Sequence, residues 1–285
     1  MTDETAYAGE QVETPTGKGA GDENFPVASW LIAPALRPHV ARFYAFARAA
    51  DDIADNASLS PEDKIRRLDA FEAGLDGSGP DKATVLADSL AATNVPDRHA
   101  RDLLAAFRQD AVKQRYANWD ELVGYCELSA NPVGRYLMDL HGEDRALWVP
   151  SDALCTVLQI VNHLPDCGKD LAEMDRVYIP DDMLADVGIG IDALTEPRTG
   201  SALRHVLDAI LDRCDAMLRV ARTRPAHPRS RRLHAETAVI TALATRLAAR
   251  LRHEDPLAGR VKLSKLDFAM AALTGLRALL TPRRG

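Results

Sequence analysis

The chain has 285 residues, 46% of them apolar and 27% charged, with a formal net charge of −7. At roughly 100–200 residues per domain, this length admits one large domain or two small ones. The longest apolar runs span only a few residues, far short of the roughly 18 that a membrane-crossing helix needs. With 35 Lys and Arg against 42 Asp and Glu, no general attraction to nucleic acid phosphates is expected. Cys126, Cys155, Cys167 and Cys214 form no CxxC pair and are too sparse for a secreted disulfide scaffold, so reduced thiols are expected. The opening MTDETAYAGEQVETPTG lacks the basic and apolar regions of a signal peptide, which predicts a cytoplasmic protein.

Residues 1–24 are rich in Gly, Thr, Glu and Asp and predict a flexible tail ahead of one domain over 25–285. From Phe25 onward apolar residues recur at spacings of three and four, and no convincing run alternates, which predicts an all-α fold. A first helix is expected over 35–55. Ser60-Pro61-Glu62-Asp63 supplies a cap with proline at the first helical position, ahead of Ile65, Leu68, Phe71 and Leu75. Further helices are expected over 82–92 and 97–115, and from a cap at Asn118 to about Leu140, then over 152–171, 201–223, 230–253 and 263–280. Glycine and proline mark the connections at 77–80, 188–197 and 224–228. No fixed-period repeat is present, so a single bundle is expected over a solenoid.

Two acidic segments carry the chemistry. In FYAFARAADDIAD, residues 43–55, Asp51 and Asp55 lie one helical turn apart on one face, with Arg48 and Tyr44 further back along the stripe. Two carboxylates near a helix C-terminus face mutual repulsion and an unfavourable dipole, and a divalent cation would relieve both. A lone DxxxD reads first as a solvated helix end. The second segment, residues 158–180, spaces Asn162, Asp166 and Asp170 by four, with Gln159 on the adjoining face. Oxygen ligands of this kind suit Mg²⁺, which binds a few carboxylates together with substrate phosphates. The two segments together predict helices that face one cavity and grip a diphosphate through Mg²⁺. His163 and Cys167, also four apart, read as packing residues.

These residues resemble the squalene and phytoene synthase family of isoprenoid synthases. The resemblance rests on YAFARAADDIAD, on RYANWDELVGYC followed by NPVG, and on the QxxNxxxDxxxD stripe ending in RVYIP. It implies an isoprenoid-synthase helical bundle with a central cavity. Asp51 and Asp55 are then the first Mg²⁺ motif, and Asn162, Asp166 and Asp170 the second. Tyr44, Arg48 and Gln159 match positions that contact the diphosphate or the reacting carbons, and Tyr178 matches a tyrosine beside the carbocation. Val133-Gly134 matches a kink where a helix approaches the prenyl chain, and Pro132 gives an independent reason for the kink. ENFPVAS at 23–29, which brings in Ser29 as a substrate-binding residue, and SANPVGR, which brings in Arg135, point to the bacterial hydroxysqualene synthase branch. A buried salt bridge is the alternative reading of Arg135.

The implied reaction is conversion of presqualene diphosphate and water to hydroxysqualene. Head-to-head condensation of farnesyl diphosphate to presqualene diphosphate or squalene is the alternative, and a helical scaffold or assembly protein with impaired turnover is an alternative of another class. Pro165 departs from the family, which commonly has glutamine there. It cannot donate to the carbonyl of Val161, so a bend is expected just before Asp166. Arg283 and Arg284 beside Leu279 and Leu280 read first as a frayed basic helix end. The alternative is a weak contact with anionic lipid, which would place the protein peripherally at the inner membrane.

Overall fold

The computed structural model describes residues 12–14, 31–223 and 228–280. Its chain order is α1 (Arg37–Ala54), α2 (Pro61–Leu75), α3 (Asp81–Thr93), α4 (Arg98–Val112), α5 (Trp119–Ser129), α6 (Asn131–Leu140), α7 (Trp148–His163), α8 (Cys167–Met174), α9 (Asp181–Ala185), α10 (Ser201–Ala221), α11 (Arg231–His253) and α12 (Lys265–Leu280). Among the described residues there is no β-strand, in agreement with the all-α expectation.

Local chemistry sets several of these boundaries. The Ser60 hydroxyl accepts from the Asp63 amide at 3.2 Å and starts α2. The Asn118 side chain accepts from the Glu121 amide at 3.0 Å and starts α5, while the Glu121 carboxylate reaches back to the Ala117 amide. Both caps satisfy amides that a helix start leaves without a partner.

Two expectations need correction. The helix predicted from Asn118 to Leu140 is two helices, because Ala130 (φ −121°, ψ −47°) breaks the path between α5 and α6. Pro132 therefore sits in the first turn of α6, where its missing N–H costs nothing, and Val133-Gly134 is not a kink inside a longer helix. The helix predicted over 152–171 ends as α7 at His163, passes through a 3₁₀ turn at Leu164–Asp166, and resumes as α8. Pro165 is buried in that turn, so the expected bend is present.

The helices build two large apolar cores and a small one around Met138, Leu147 and Leu233. The first gathers Phe43, Phe46, Ile53, Leu68, Phe71, Leu86 and Leu104 from α1 to α4, closed by Tyr136 and Leu140 of α6. The second gathers residues of α5, α7, α10 and α11 with Val177, Tyr178 and Ile179. Asp175 (φ +52°) ends α8 in the left-handed region. The chain then runs beside residues 114–117, where the Val177, Asp181 and Asp182 amides donate to the carbonyls of Gln114, Tyr116 and Ala117. This return stretch brings residues 176–178 of the second core against the acidic end of α1.

Part of the predicted tail is held. Thr14 donates to the Asp52 carbonyl at 3.1 Å, Arg67 donates to the Val12 carbonyl at 3.0 Å, and Glu13 pairs with Lys82. The four cysteines are free thiols, and Cys126, Cys167 and Cys214 are buried.

Candidate active site

The acidic end of α1 lies at the seam between the two large cores. Arg48 pairs with Asp51 at 2.9 Å and with the buried Asp52 at 2.6 Å, so the residues three and four positions after it share its guanidinium. Asp55, which caps the C-terminus of α1, pairs with Arg176 at 2.9 Å. Arg176 is 5% exposed and also donates to the Tyr178 hydroxyl at 3.3 Å and the Asp110 carbonyl at 3.2 Å. The Tyr178 ring stacks on His163 with centroids 3.6 Å apart, and His163 stands 3.7 Å from Asp170 and 3.1 Å from the Gln159 amide. A continuous line of contacts thus runs from Asp55 through Arg176, Tyr178 and His163 to Asp170. Asp166, the last residue of the 3₁₀ turn, pairs with Arg260 at 3.0 Å.

Desolvation in this cleft, and then the neighbouring Asp55 carboxylate, raise the Asp51 carboxyl above the usual range, with Arg48 opposing. The Asp51 side chain still keeps 34% of its surface exposed, enough for a cation to reach it. Burial pushes Asp110 up to about 6 against the opposing pull of Arg176 and of the Tyr125 hydroxyl, which donates to it at 2.9 Å. Tyr116, Tyr125 and Tyr178 form an aromatic trio with centroids 5.3 to 5.7 Å apart, and burial raises all three phenols. They stay neutral and present ring faces toward one another.

The donor set of the two acidic motifs is hard oxygen from carboxylates and one amide, which suits a divalent cation. The crowding that raises Asp51 is what such a cation would relieve. In the arrangement seen, each carboxylate rests on a cationic or imidazole side chain instead. Among the described residues no three His, Cys, Asp or Glu side chains are gathered as a ready metal site.

Of the residues predicted from sequence, Arg48, Asp51, Asp55, Gln159, Asp170 and Tyr178 belong to this connected cluster. Tyr44 is half-buried two turns back on α1, and Asn162 is half-buried on the last turn of α7. Arg135 is not brought to the cluster: it forks onto Asp152 of α7, with contacts at 2.6 to 3.1 Å, and lies over Trp148, the salt-bridge alternative. Ser29 lies outside the described residues.

Sequence reasoning missed Asp110, Arg176, Arg260 and the roles of Tyr116 and Tyr125. Tyr116, Tyr125 and Arg176 do fall inside RYANWDELVGYC and RVYIP, strings that already stood out. Asp110 and Arg260 sit in no such string. A cavity of about 490 Å³ lies elsewhere, at the N-terminal end of α7, lined by Met138, Leu147, Ser151, Leu233 and a threonine row of α11. It is bounded by no residue of the acidic cluster.

The squalene/phytoene synthase family model matches residues 19–267. The chain belongs to this family. It is 43% identical over 273 residues to a hydroxysqualene synthase of Rhodopseudomonas palustris, covering 95% of this chain and 94% of that one. A hydroxysqualene synthase of Sinorhizobium fredii is 43% identical over 251 residues, 87% of this chain and 86% of the other. Among solved structures, a squalene synthase from Alicyclobacillus acidocaldarius superposes with a TM-score of 0.70 at 30% identity, covering 79% of this chain and 86% of that chain. The family is one of prenyl diphosphate-processing synthases, and the bundle described above is its fold.

Proposed function

We propose that this family member converts presqualene diphosphate and water to hydroxysqualene with release of diphosphate. The observation that carries the reading is the unbroken line from Asp55 through Arg176, Tyr178 and His163 to Asp170, which ties both acidic motifs to one seam. The similarity to hydroxysqualene synthases over nearly the whole chain supports the choice of product.

Asp51, Asp55, Asn162, Asp166 and Asp170 would hold Mg²⁺, which when bound supplies Lewis-acid neutralisation of the departing diphosphate. Arg48, Arg176 and Arg260, now paired with Asp51, Asp55 and Asp166, are charge-assisted donors within reach of an anion bound there. The neutral rings of Tyr116, Tyr125 and Tyr178 offer π faces to a developing carbocation and keep bulk water out of the seam. Tyr44 and Gln159 orient the substrate, and the protein works in the cytoplasm.

The 30% identical squalene synthase favours a second reading, head-to-head condensation of two farnesyl diphosphates to presqualene diphosphate and diphosphate, with squalene formed only where a hydride donor is also supplied. The test is pyrophosphate release with Mg²⁺ and each diphosphate. Asp51→Asn and Asp166→Asn are expected to abolish release while circular dichroism remains that of the parent. Turnover within a few fold of the parent would remove the metal assignment.

A further inference from the structure

Helix α12 packs on α11 through a narrow row, in which Asp267, Ala271 and Gly275 are buried at intervals of four. A Cβ on Gly275 would stand 2.5 Å from Val239 Cγ2, so the two helices are in close contact. Asp267 fixes the approach by pairing with Arg246 at 3.1 Å and Arg250 at 2.8 Å. The opposite side of α12 carries Leu266, Phe268, Met270, Leu273, Leu276 and Leu280, between 43% and 71% exposed. The only charged residues of α12 besides Asp267 are Lys265 and Arg277. An apolar face about 24 Å long, from 16 residues at about 1.5 Å each, therefore lies on the outside of the bundle.

Charge identifies what fits against this face. From Arg219 to Gly285 the sequence has fifteen Lys and Arg against four Asp and Glu, in a chain whose net charge is −7. Those four acids are already engaged: Glu236 and Asp267 are buried, Glu254 pairs with Arg250, and Asp255 accepts from Thr199. Of the basic groups, Arg252 pairs with Asp212 and Asp215, Arg260 with Asp166, and Arg246 and Arg250 with Asp267, so the charge along the outer side of α12 comes from Lys265 and Arg277 with no exposed acid on the helix. Arg231 donates to the Leu279 carbonyl, Arg232 is beside it, and the sequence continues past Leu280 with Thr281-Pro282-Arg283-Arg284. A second copy brought face to face would set Lys265 and Arg277 against like charges with no exposed acid of α12 to meet them. An anionic surface with an apolar interior complements both features.

We propose that α12 is a membrane-surface helix that lies in the interface of an anionic phospholipid bilayer. Its leucines, Phe268 and Met270 enter the acyl boundary, and Lys265, Arg277 and the arginines at the start of α11 face the headgroups. No helix among the described residues is long and apolar enough to span a bilayer, and an interfacial helix does not need to be. The proposal stands apart from the assigned chemistry, because none of these side chains belongs to the acidic cluster or its partners.

The test is co-sedimentation of the full chain with vesicles of phosphatidylcholine alone and of phosphatidylcholine mixed with phosphatidylglycerol. Binding is expected to the mixed vesicles, to weaken as salt is added, and to be small on phosphatidylcholine alone. Each headgroup-facing Lys or Arg contributes about fivefold to the partition. Leu273→Glu with Leu276→Glu is expected to reduce binding by at least about tenfold, since each buried leucine carries that much alone. Lys265→Gln with Arg277→Gln, two exposed positions that leave the packing row intact, is expected to remove most of the dependence on phosphatidylglycerol. Equal thermal unfolding of parent and variants establishes that the fold is kept. The proposal is overturned if the parent ignores both vesicles, if it binds both equally, or if the double-Glu variant sediments like the parent. It is also overturned if ultracentrifugation shows a dimer that the double-Glu variant abolishes while vesicle binding is absent.

Discussion

Replacing Gly134 with alanine tests how α7 is held against α6. A Cβ at this position would stand 2.4 Å from Ser151 Oγ and 2.7 Å from Cys155 Sγ, whereas its distance to Ser151 Cβ would be an ordinary 3.7 Å. Relief needs Ser151 Oγ and Cys155 Sγ both to rotate away or, where their packed surroundings block that, about 1 Å of movement between the helices. Overpacking of this kind costs about 1–3 kcal/mol, which in a protein of this size lowers Tm by roughly 2–4 °C per kcal/mol. The same movement displaces Gln159 and Asn162 at the far end of α7, and about 1 Å of misplacement can cost on the order of a hundredfold in rate. Gly134→Ala should therefore melt several degrees lower and release pyrophosphate far more slowly. Adding Ser151→Ala and Cys155→Ala removes both clashing atoms and should restore most of the loss. If the single variant matches the parent, or if the triple variant recovers nothing, the reasoning about close helix approach is refuted.

Three other outcomes follow from the same structure. Pro165→Gln restores an amide able to donate to the Val161 carbonyl, worth about 1 kcal/mol, and should raise both Tm and turnover; parallel melting and activity measurements that show no change would make Pro165 a tolerated variation. Arg176→Ala leaves Asp55 and Asp110 without their shared cation and should destabilise by about 3–5 kcal/mol, read by urea unfolding, where a shift under 1 kcal/mol would contradict the described network. Hydrogen bonds from Ser264, ahead of Arg250 and Arg246, hold the Asp267 carboxyl well below its ordinary value of 3.8. A carboxyl lowered by folding stabilises above that unfolded value and loses the contribution as pH falls below it. The Tm difference between parent and Asp267→Asn should thus be constant from neutral pH to about 4 and shrink below it; a difference that does not change with pH would argue against the pairing.

Local signals in the sequence carried much of this structure. The Ser60 and Asn118 caps, the helices of the C-terminal half and the bend at Pro165 each depend on neighbours within four residues, and all are present. The break at Ala130 was signalled by Pro132, which fits a kink inside one helix but equally suits the first turn of a new one. The spacing of Asp51 and Asp55 was legible, but the cations that hold them were not equally so. Arg48 sits on the same helix, whereas Arg176 is 121 residues from Asp55 and Arg260 lies beyond α11, so no periodicity connects them. Arg135 shows the converse: its motif stood out, but its local partner Asp152 uses the guanidinium that the motif suggested for a ligand.

The most direct test of the assigned reaction is incubation of the full chain with presqualene diphosphate and Mg²⁺ in water enriched in the heavy oxygen isotope, followed by mass spectrometry of the extracted lipid. The account predicts hydroxysqualene whose hydroxyl carries the label, formed together with diphosphate and lost in Asp51→Asn. Unlabelled hydroxysqualene, or presqualene diphosphate recovered intact by a chain that consumes farnesyl diphosphate in a parallel incubation, would contradict it.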